Sequence, residues 1–176
     1  MQTIVFENTL VVIKRGNLVN EQGDAIVCPS NSFGHMRGGI AASIRESGGE
    51  NIEEEAIARA PVEVGNAVIT TAGRLKVKHI IHAPTMKFAV GRASIDSVRK
   101  AVNAALSAAV GHHFSSVTFP GMGTESIANE EAARVILEEI RRHLEKESAT
   151  FNRIGIIAHS DEFYKALKES ALMVFR

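Results

Sequence analysis

The chain has 176 residues, of which 45% are hydrophobic and 23% are charged, so its length and composition fit one compact domain better than two small ones. Twenty Lys and Arg residues balance twenty Asp and Glu residues, which excludes an overall field that attracts nucleic acid or an anionic membrane. The single cysteine, Cys28, excludes an intramolecular disulfide and a zinc site built on a cysteine cluster.

The amino-terminal segment has apolar runs that are too short for a signal peptide core or a membrane span. A chain with one cysteine also suits a reducing compartment. We therefore expect a soluble, cytoplasmic protein with no membrane association.

The first half of the chain predicts five strands and two helices. The runs "TIVF" and "LVVIKR" flank the turn-like residues 7–9 and predict two antiparallel strands. The short strand "AIVC" leads into a polar loop and then a helix from about Ile40 to Ser47, which Gly48 and Gly49 would end. A second, charged helix stops before Pro61, and the runs "NAVITTA" and "VKHIIHA" are rich in β-formers.

The second half alternates helices with strands. The segment "ASIDSVRKAVNAALSAAVG" carries apolar residues at helical spacing and predicts a helix with one buried stripe. The strand "SVTFP" opens a second polar loop, "GMGTESIAN", in which Asn129 is the predicted N-cap of the helix "EEAARVILEEIRRHLEKE". The strand "RIGIIAH" precedes a last helix, for which Ser160 or Asp161 is the predicted cap.

Strands that alternate with helices predict a three-layer α/β/α fold, and the opening hairpin makes its mostly parallel central sheet mixed. We expect one domain over residues 1–176. In open sheets of this class, ligands bind beyond the carboxyl ends of the strands. Both polar loops follow predicted strands, so both should lie at that edge of the sheet.

The two loops have the chemistry of an anion site. Gly38 and Gly39 stand at the entrance to a helix, where backbone N–H groups and the helix dipole can face a phosphate. By spacing alone, two glycines before a helix are also typical of a simple tight turn. The loop "GMGTES" offers a second such surface, and neither loop contains the Gly-Lys-Ser/Thr of a Walker-type nucleotide site. The pair of loops therefore predicts a phosphate-holding cleft outside the P-loop class.

At this point the chain resembles a known family. Five segments in order over nearly the whole chain are similar to the macro domain, a module that binds ADP-ribose: "GNLVNEQGDAIVCPSN", "VGNAVIT", "VKHIIHAP", "SVTFPGMGT" and "IGIIAH". Several motifs at compatible spacing are more specific than any one of them. The resemblance implies the macro domain fold and an ADP-ribose site.

The resemblance implies particular roles for residues near the first strands. The family's adenine-binding Asp corresponds to Asn17, which lacks the charge that strengthens such a bond, with Leu18 offering a backbone N–H beside it. Asn17 could equally shape a turn. Asn31 corresponds to the Asn that holds the distal ribose hydroxyls, and it is the one residue for which we predict a catalytic role. Its alternative is a loop Asn that bonds its own backbone. Cys28 fits a small core residue better than a nucleophile.

In the first loop, Gly38, Gly39 and Ile40 correspond to the family's wall against the diphosphate and ribose. Arg37 stands where the family usually has glycine, and it could either add a cation or obstruct the entrance. Ala41 stands where one subgroup of family hydrolases carries a catalytic Asp, which disfavours a hydrolase of that subgroup.

In the second loop, the match covers Gly123 and Thr124, followed by Glu125, Ser126 and Ile127. Glu125 replaces an expected glycine, and its carboxylate would repel a nearby diphosphate unless it turned outward, the orientation we favour, or served as a base near the ribose. His159 follows the last strand, where the family often places an aromatic ring against adenine. It could instead be an ordinary surface residue.

Other conspicuous residues predict no separate site. His79, His82, His112 and His113 lack carboxylate or thiolate partners at ligand spacing, so we expect no metal and no cofactor. The acidic run from Glu53 to Glu55 is typical of a solvated helix face.

Three functions follow from these expectations. The first is a binder of free ADP-ribose, O-acetyl-ADP-ribose or ADP-ribosylated protein. The second is a hydrolase in which Asn31 orients the ribose and the substrate's own phosphate assists a water as base. The third is a structural or partner-binding module whose pocket has drifted through Asn17, Arg37 and Glu125. Pairing of Arg37 with Glu125 across the cleft would favour the third.

Overall fold

The computed structural model describes residues 1–147 and 150–176. In chain order its strands and helices are β1 Gln2–Phe6, β2 Thr9–Arg15, β3 Gly23–Asn31, α1 Gly39–Gly48, α2 Asn51–Ala58, β4 Val68–Thr71, β5 Val77–Met86, α3 Ile95–Gly111, β6 Ser116–Pro120, α4 Asn129–Lys146, β7 Arg153–Ala158 and α5 Asp161–Val174. Each segment that the sequence predicts as a strand or helix overlaps one of these elements.

The seven strands form one sheet in the order β1-β2-β7-β6-β3-β5-β4. The five central strands run parallel to one another, while β1 and β4 pair antiparallel at the two edges. The predicted mixed, mostly parallel sheet is therefore confirmed. Its parallel strands bring the ends of β2, β7, β6, β3 and β5 to one edge.

Side chains on the two faces of the sheet enter two separate cores, as alternation along a strand requires. On β3, Ala25 and Val27 belong to the larger core with α3, α4 and α5, whereas Ile26 and Cys28 belong to the smaller core with α1 and α2. Helices thus cover both faces, and the three-layer α/β/α prediction is confirmed.

Two helix ends test the predicted caps. Ser160 caps α5, because its hydroxyl oxygen accepts a hydrogen bond from the Phe163 N–H at 3.1 Å. The prediction for α4 is wrong: Asn129 is the first helical residue and Ala128 is the N-cap, without a side-chain hydrogen bond. In the described residues, no helix is long and apolar enough to cross a bilayer. The cytoplasmic location stays a prediction.

Candidate functional site

A cleft of about 840 Å³ lies along the edge where the five parallel strands end. Its size falls in the upper part of the roughly 300–1,000 Å³ that small-molecule sites occupy. All but one of the site residues predicted from the sequence line it: Asn17, Leu18, Asn31, Gly38, Gly39, Ile40, Gly123, Thr124, Glu125, Ser126 and His159. The cleft therefore brings together residues that are up to 142 positions apart, counting from Asn17 to His159 (159 − 17).

Ile127 is the exception, since it does not line the cleft, and its role toward a ligand stays a prediction. Its side chain is 9% exposed and packs into the larger core. Its backbone N–H donates to the Gly123 carbonyl at 2.8 Å, so this residue closes the second loop.

The first loop presents open backbone to the cleft. Gly38 is the N-cap of α1, and among the described residues no side chain caps this helix, so the N–H groups of its first turn have no side-chain acceptor there. A Cβ at Gly38 would meet nothing within 4 Å. Gly39 has φ +55°, a left-handed conformation in which a side chain is strained. This geometry can receive an anion at the start of α1.

Glu53 organises the first loop from behind, a role that the sequence analysis missed. Its carboxylate is buried on α2 and accepts a 2.6 Å hydrogen bond from the Met36 N–H. The same carboxylate lies 3.3 Å from the Arg37 Nε and 3.6 Å from the Arg45 Nη1. The predicted solvated face at Glu53 is therefore wrong.

The neighbours of Glu53 show how the acidic run is divided. Glu54 is exposed, whereas Glu55 accepts hydrogen bonds from the backbone and hydroxyl of Thr71, and the hydroxyl bond lowers the pKa of Glu55 below its ordinary value. The position of Glu53 on α2 could have revealed its burial, because the apolar residues Ile52 and Ala56 mark the same side of the helix as buried.

Arg37 and Glu125 do not pair across the cleft in the part of the chain that the structure describes. The guanidinium of Arg37 turns toward Glu53, and its side chain remains 69% exposed. Glu125 is exposed, and its Oε1 lies 3.4 Å from where a Cβ on Gly39 would stand. The carboxylate thus faces the first loop while remaining in solvent.

The second loop turns on Gly123, which has φ +76°. A Cβ there would lie 2.7 Å from Val98 Cγ2, in the core. The Gly123 carbonyl accepts from the N–H groups of both Ser126 and Ile127, at 3.0 and 2.8 Å. Glycine at this position therefore allows the loop to pack tightly against α3 while its rim faces the cleft.

Asn31 is 6% exposed and bonds its own loop. Its Oδ1 accepts from the Phe33 and His35 N–H groups at 3.0 and 3.4 Å, and its Nδ2 donates to the His35 carbonyl at 2.9 Å. One amide hydrogen remains for a ligand. The Asn31 side chain therefore stabilises the backbone conformation of residues 31–35.

Asn17, Leu18 and His159 form the opposite end of the cleft. The Asn17 Oδ1 accepts from the Val19 N–H at 3.3 Å and caps a single 3-10 turn, Leu18–Asn20. Leu18 is buried beneath it, and His159 is exposed just after β7. The turn-shaping alternative for Asn17 is thus present, and its role toward a ligand stays a prediction.

Cys28 and His82 lie behind the cleft. Burial raises the pKa of the Cys28 thiol to about 12, which fits a core residue and not a nucleophile. Burial lowers the pKa of His82 to about 4, and its Nε2 lies 2.8 Å from the Thr70 hydroxyl. Within residues 1–147 and 150–176, no group of three His, Cys, Asp or Glu side chains is placed to hold a metal ion.

The fold and the cleft define a three-layer α/β/α domain with a ligand-sized site at the carboxyl ends of parallel strands. The sequence profile of one family, the macro domain, matches residues 27–136. A protein of Aquifex aeolicus is 47% identical over 134 residues, which cover 75% of this chain and 81% of that protein. The chain belongs to the macro domain family, as its motifs predicted.

Solved macrodomains share the fold. A variant Oceanobacillus iheyensis macrodomain with ADPR (ADP-ribose) has a TM-score of 0.89 at 18% identity, over 99% of this chain and 98% of that chain. A Trypanosoma brucei macrodomain in complex with ADP-ribose has a TM-score of 0.82 at 22% identity, over 90% of this chain and 68% of that chain.

Proposed function

We propose that this chain binds ADP-ribose or a close derivative in the cleft between its two glycine-containing loops. The observation that carries the proposal is the order of the cleft along the sheet. The strands β2, β7, β6, β3 and β5 present, in turn, the Asn17 turn, His159, the second loop, the first loop and the end of β5. Four strand spacings of about 4.8 Å make this row about 19 Å long, which suits an extended dinucleotide-like ligand.

We orient the proposed ligand along this row as the family resemblance implies. Adenine lies at the end formed by Asn17, Leu18 and His159, the diphosphate lies between the loops, and the distal ribose lies beside Asn31. The N-terminus of α1 supplies N–H groups and a positive dipole end for the diphosphate. The amide hydrogen that Asn31 keeps free is available to a ribose hydroxyl.

The family resemblance also implies a wider set of ligands. Free ADP-ribose, its O-acetylated form and ADP-ribosylated protein share the same diphosphate and riboses, so each is a proposed ligand. An ADP-ribosylated protein is therefore a proposed partner.

Isothermal titration calorimetry of ADP-ribose into the full chain tests the proposal, with AMP as a control ligand. We expect micromolar or tighter binding, about −8 kcal/mol. Gly38→Val is the informative variant because its side chain would enter the open cleft at an extended backbone position (φ −145°). Gly111→Val is the matched control, since Gly111 also faces open space but lies at the end of α3.

Loss of binding in Gly38→Val alone supports the proposed site. Equal binding in both variants and the wild type places the ligand elsewhere. If ADP-ribose gives no heat at millimolar concentration, the third function, a structural or partner-binding module on a macro fold, becomes the better account.

Glu125 favours a second candidate function, hydrolysis of an ADP-ribosyl ester or of ADP-ribosylated protein. It is the acidic side chain that lines the cleft among the described residues, and it faces the first loop. A carboxylate in that position can accept a proton from an attacking water. Release of ADP-ribose from a modified protein by the wild type, but not by Glu125→Gln, would support this function. If neither protein releases ADP-ribose, binding without hydrolysis is the better account.

A further inference from the structure

The end of the cleft proposed to hold the base has one side chain whose hydrogen-bonding direction is fixed. The Asn17 Oδ1 accepts from the Val19 N–H at 3.3 Å. A backbone N–H is only a donor, so it must face the oxygen of the planar carboxamide and not the NH₂ group. The Nδ2 of Asn17 takes part in no hydrogen bond among the described residues. Asn17 therefore offers a ligand an N–H donor.

The Leu18 N–H is a second donor next to this amide. Leu18 lines the cleft and begins the 3-10 turn that Asn17 caps, so its N–H has no acceptor within the turn. Val19 and Ile157 line the same end with apolar side chains. The exposed His159 offers a ring that can stack on any purine, so it does not distinguish one base from another. The edge of the base therefore meets two N–H donors.

Adenine and hypoxanthine differ at this edge. The 6-amino group of adenine is a donor and would face the Asn17 Nδ2, which is also a donor, so only its N1 can accept, from the Leu18 N–H. Hypoxanthine has a carbonyl oxygen at position 6, whose two lone pairs can accept from both groups. Its N1–H can donate to water, because both Asn17 and His159 are exposed.

We infer that this end of the cleft prefers a 6-oxopurine to adenine, so that inosine diphosphate ribose binds more tightly than ADP-ribose. The inference rests on the proposed function and changes only the base of the ligand. Asn17 is the residue that determines the preference. A carboxylate at position 17 would reverse it, because one of its oxygens can accept from the Val19 N–H and the other from the 6-amino group of adenine.

Calorimetry with ADP-ribose and inosine diphosphate ribose tests the inference on the wild type, Asn17→Asp and Asn20→Asp. For the wild type we expect the inosine ligand to bind about three- to tenfold more tightly, because it makes one more hydrogen bond and avoids a contact between two donors. In Asn17→Asp, ADP-ribose should bind at least about threefold more tightly than the inosine ligand. This variant keeps an acceptor for the Val19 N–H, so its midpoint of urea unfolding should not change.

Asn20→Asp is the matched control, because Asn20 is exposed in the same turn but is not among the described residues that line the cleft. It adds the same charge and should keep the wild-type order of affinities. Equal or tighter binding of ADP-ribose by the wild type would overturn the inference and leave the proposed function standing. A preference that Asn17→Asp does not reverse would also overturn the inference. Failure of both ligands to bind the wild type would overturn the proposed function and the inference together.

Discussion

The Met36 N–H donates a 2.6 Å hydrogen bond to Oε2 of Glu53, a carboxylate 17 positions further along the chain and only 6% exposed. This bond joins the first loop to α2. It lies directly behind the stretch of backbone that faces the cleft, so the shape of the proposed diphosphate site depends on a residue that touches no ligand.

Replacing Glu53 should loosen the first loop. Glu53→Ala leaves the Met36 N–H and the mostly buried Arg45 guanidinium without their acceptor, so we expect a loss of about 2–3 kcal/mol of unfolding free energy in urea. The exposed Arg37 adds little to this loss. Glu54→Ala, one residue away and exposed, should cost less than about 0.5 kcal/mol. Equal losses in the two variants would contradict the assigned role of Glu53.

Gly39 and Gly38 should respond differently to the same substitution. Gly39→Ala puts a Cβ on a left-handed residue, which costs about 1–2 kcal/mol. Gly38→Ala, at an extended residue with open space around it, should leave the midpoint of urea unfolding unchanged or slightly raised. A parallel loss of stability at Gly38 would show that the loop has another conformation.

Glu125→Gln should tighten the binding of ADP-ribose about three- to fivefold. The exposed carboxylate faces the loop that receives the diphosphate, and like charges separated by about 4 Å in water repel by about 1 kcal/mol. Calorimetry at low and high salt measures the effect, and the gain should shrink as salt screens the charge. Glu131→Gln, an exposed change on α4, is the control. Unchanged affinity in Glu125→Gln would mean that the side chain turns away from the bound ligand.

The stability of the protein should depend on pH through the protonation of His82. Its pKa is depressed in the folded state, from 6.5 to about 4, so the stability that its neutral form contributes is complete above pH 6.5 and is lost as the pH falls toward 4. Between pH 7 and pH 5 we expect a loss of about 2 kcal/mol in urea unfolding. His82→Gln, which can still bond the Thr70 hydroxyl, should lose less over the same interval. An identical loss in both proteins would assign the pH dependence to other groups.

Much of the fold follows from local sequence patterns. Helical spacing predicted α3, and β-rich runs bounded by turn residues predicted the strands, because these signals depend on near neighbours in the chain. The order of strands in the sheet depends on contacts between distant segments. The motifs of a known family implied the fold as a whole, and no strand order was predicted from the sequence.

The site was harder to predict in chemical detail. Asn17 and Asn31 were identified by position, yet the side-chain oxygen of each accepts a hydrogen bond from the backbone of its own loop. Arg37 was identified as a departure from the family pattern, but its partner, Glu53, sits in an acidic run that resembles a solvated face. Such pairings form between segments that are distant in sequence, so a pattern within either segment cannot reveal them.

An amide NMR titration tests most directly the order in which the parts of the ligand lie along the sheet edge. AMP should shift the backbone resonances of Leu18 and His159, and ADP-ribose should shift these and, in addition, those of Gly39, Ile40 and Thr124. Shifts confined to other parts of the chain, or the same set with both ligands, would contradict the proposed arrangement.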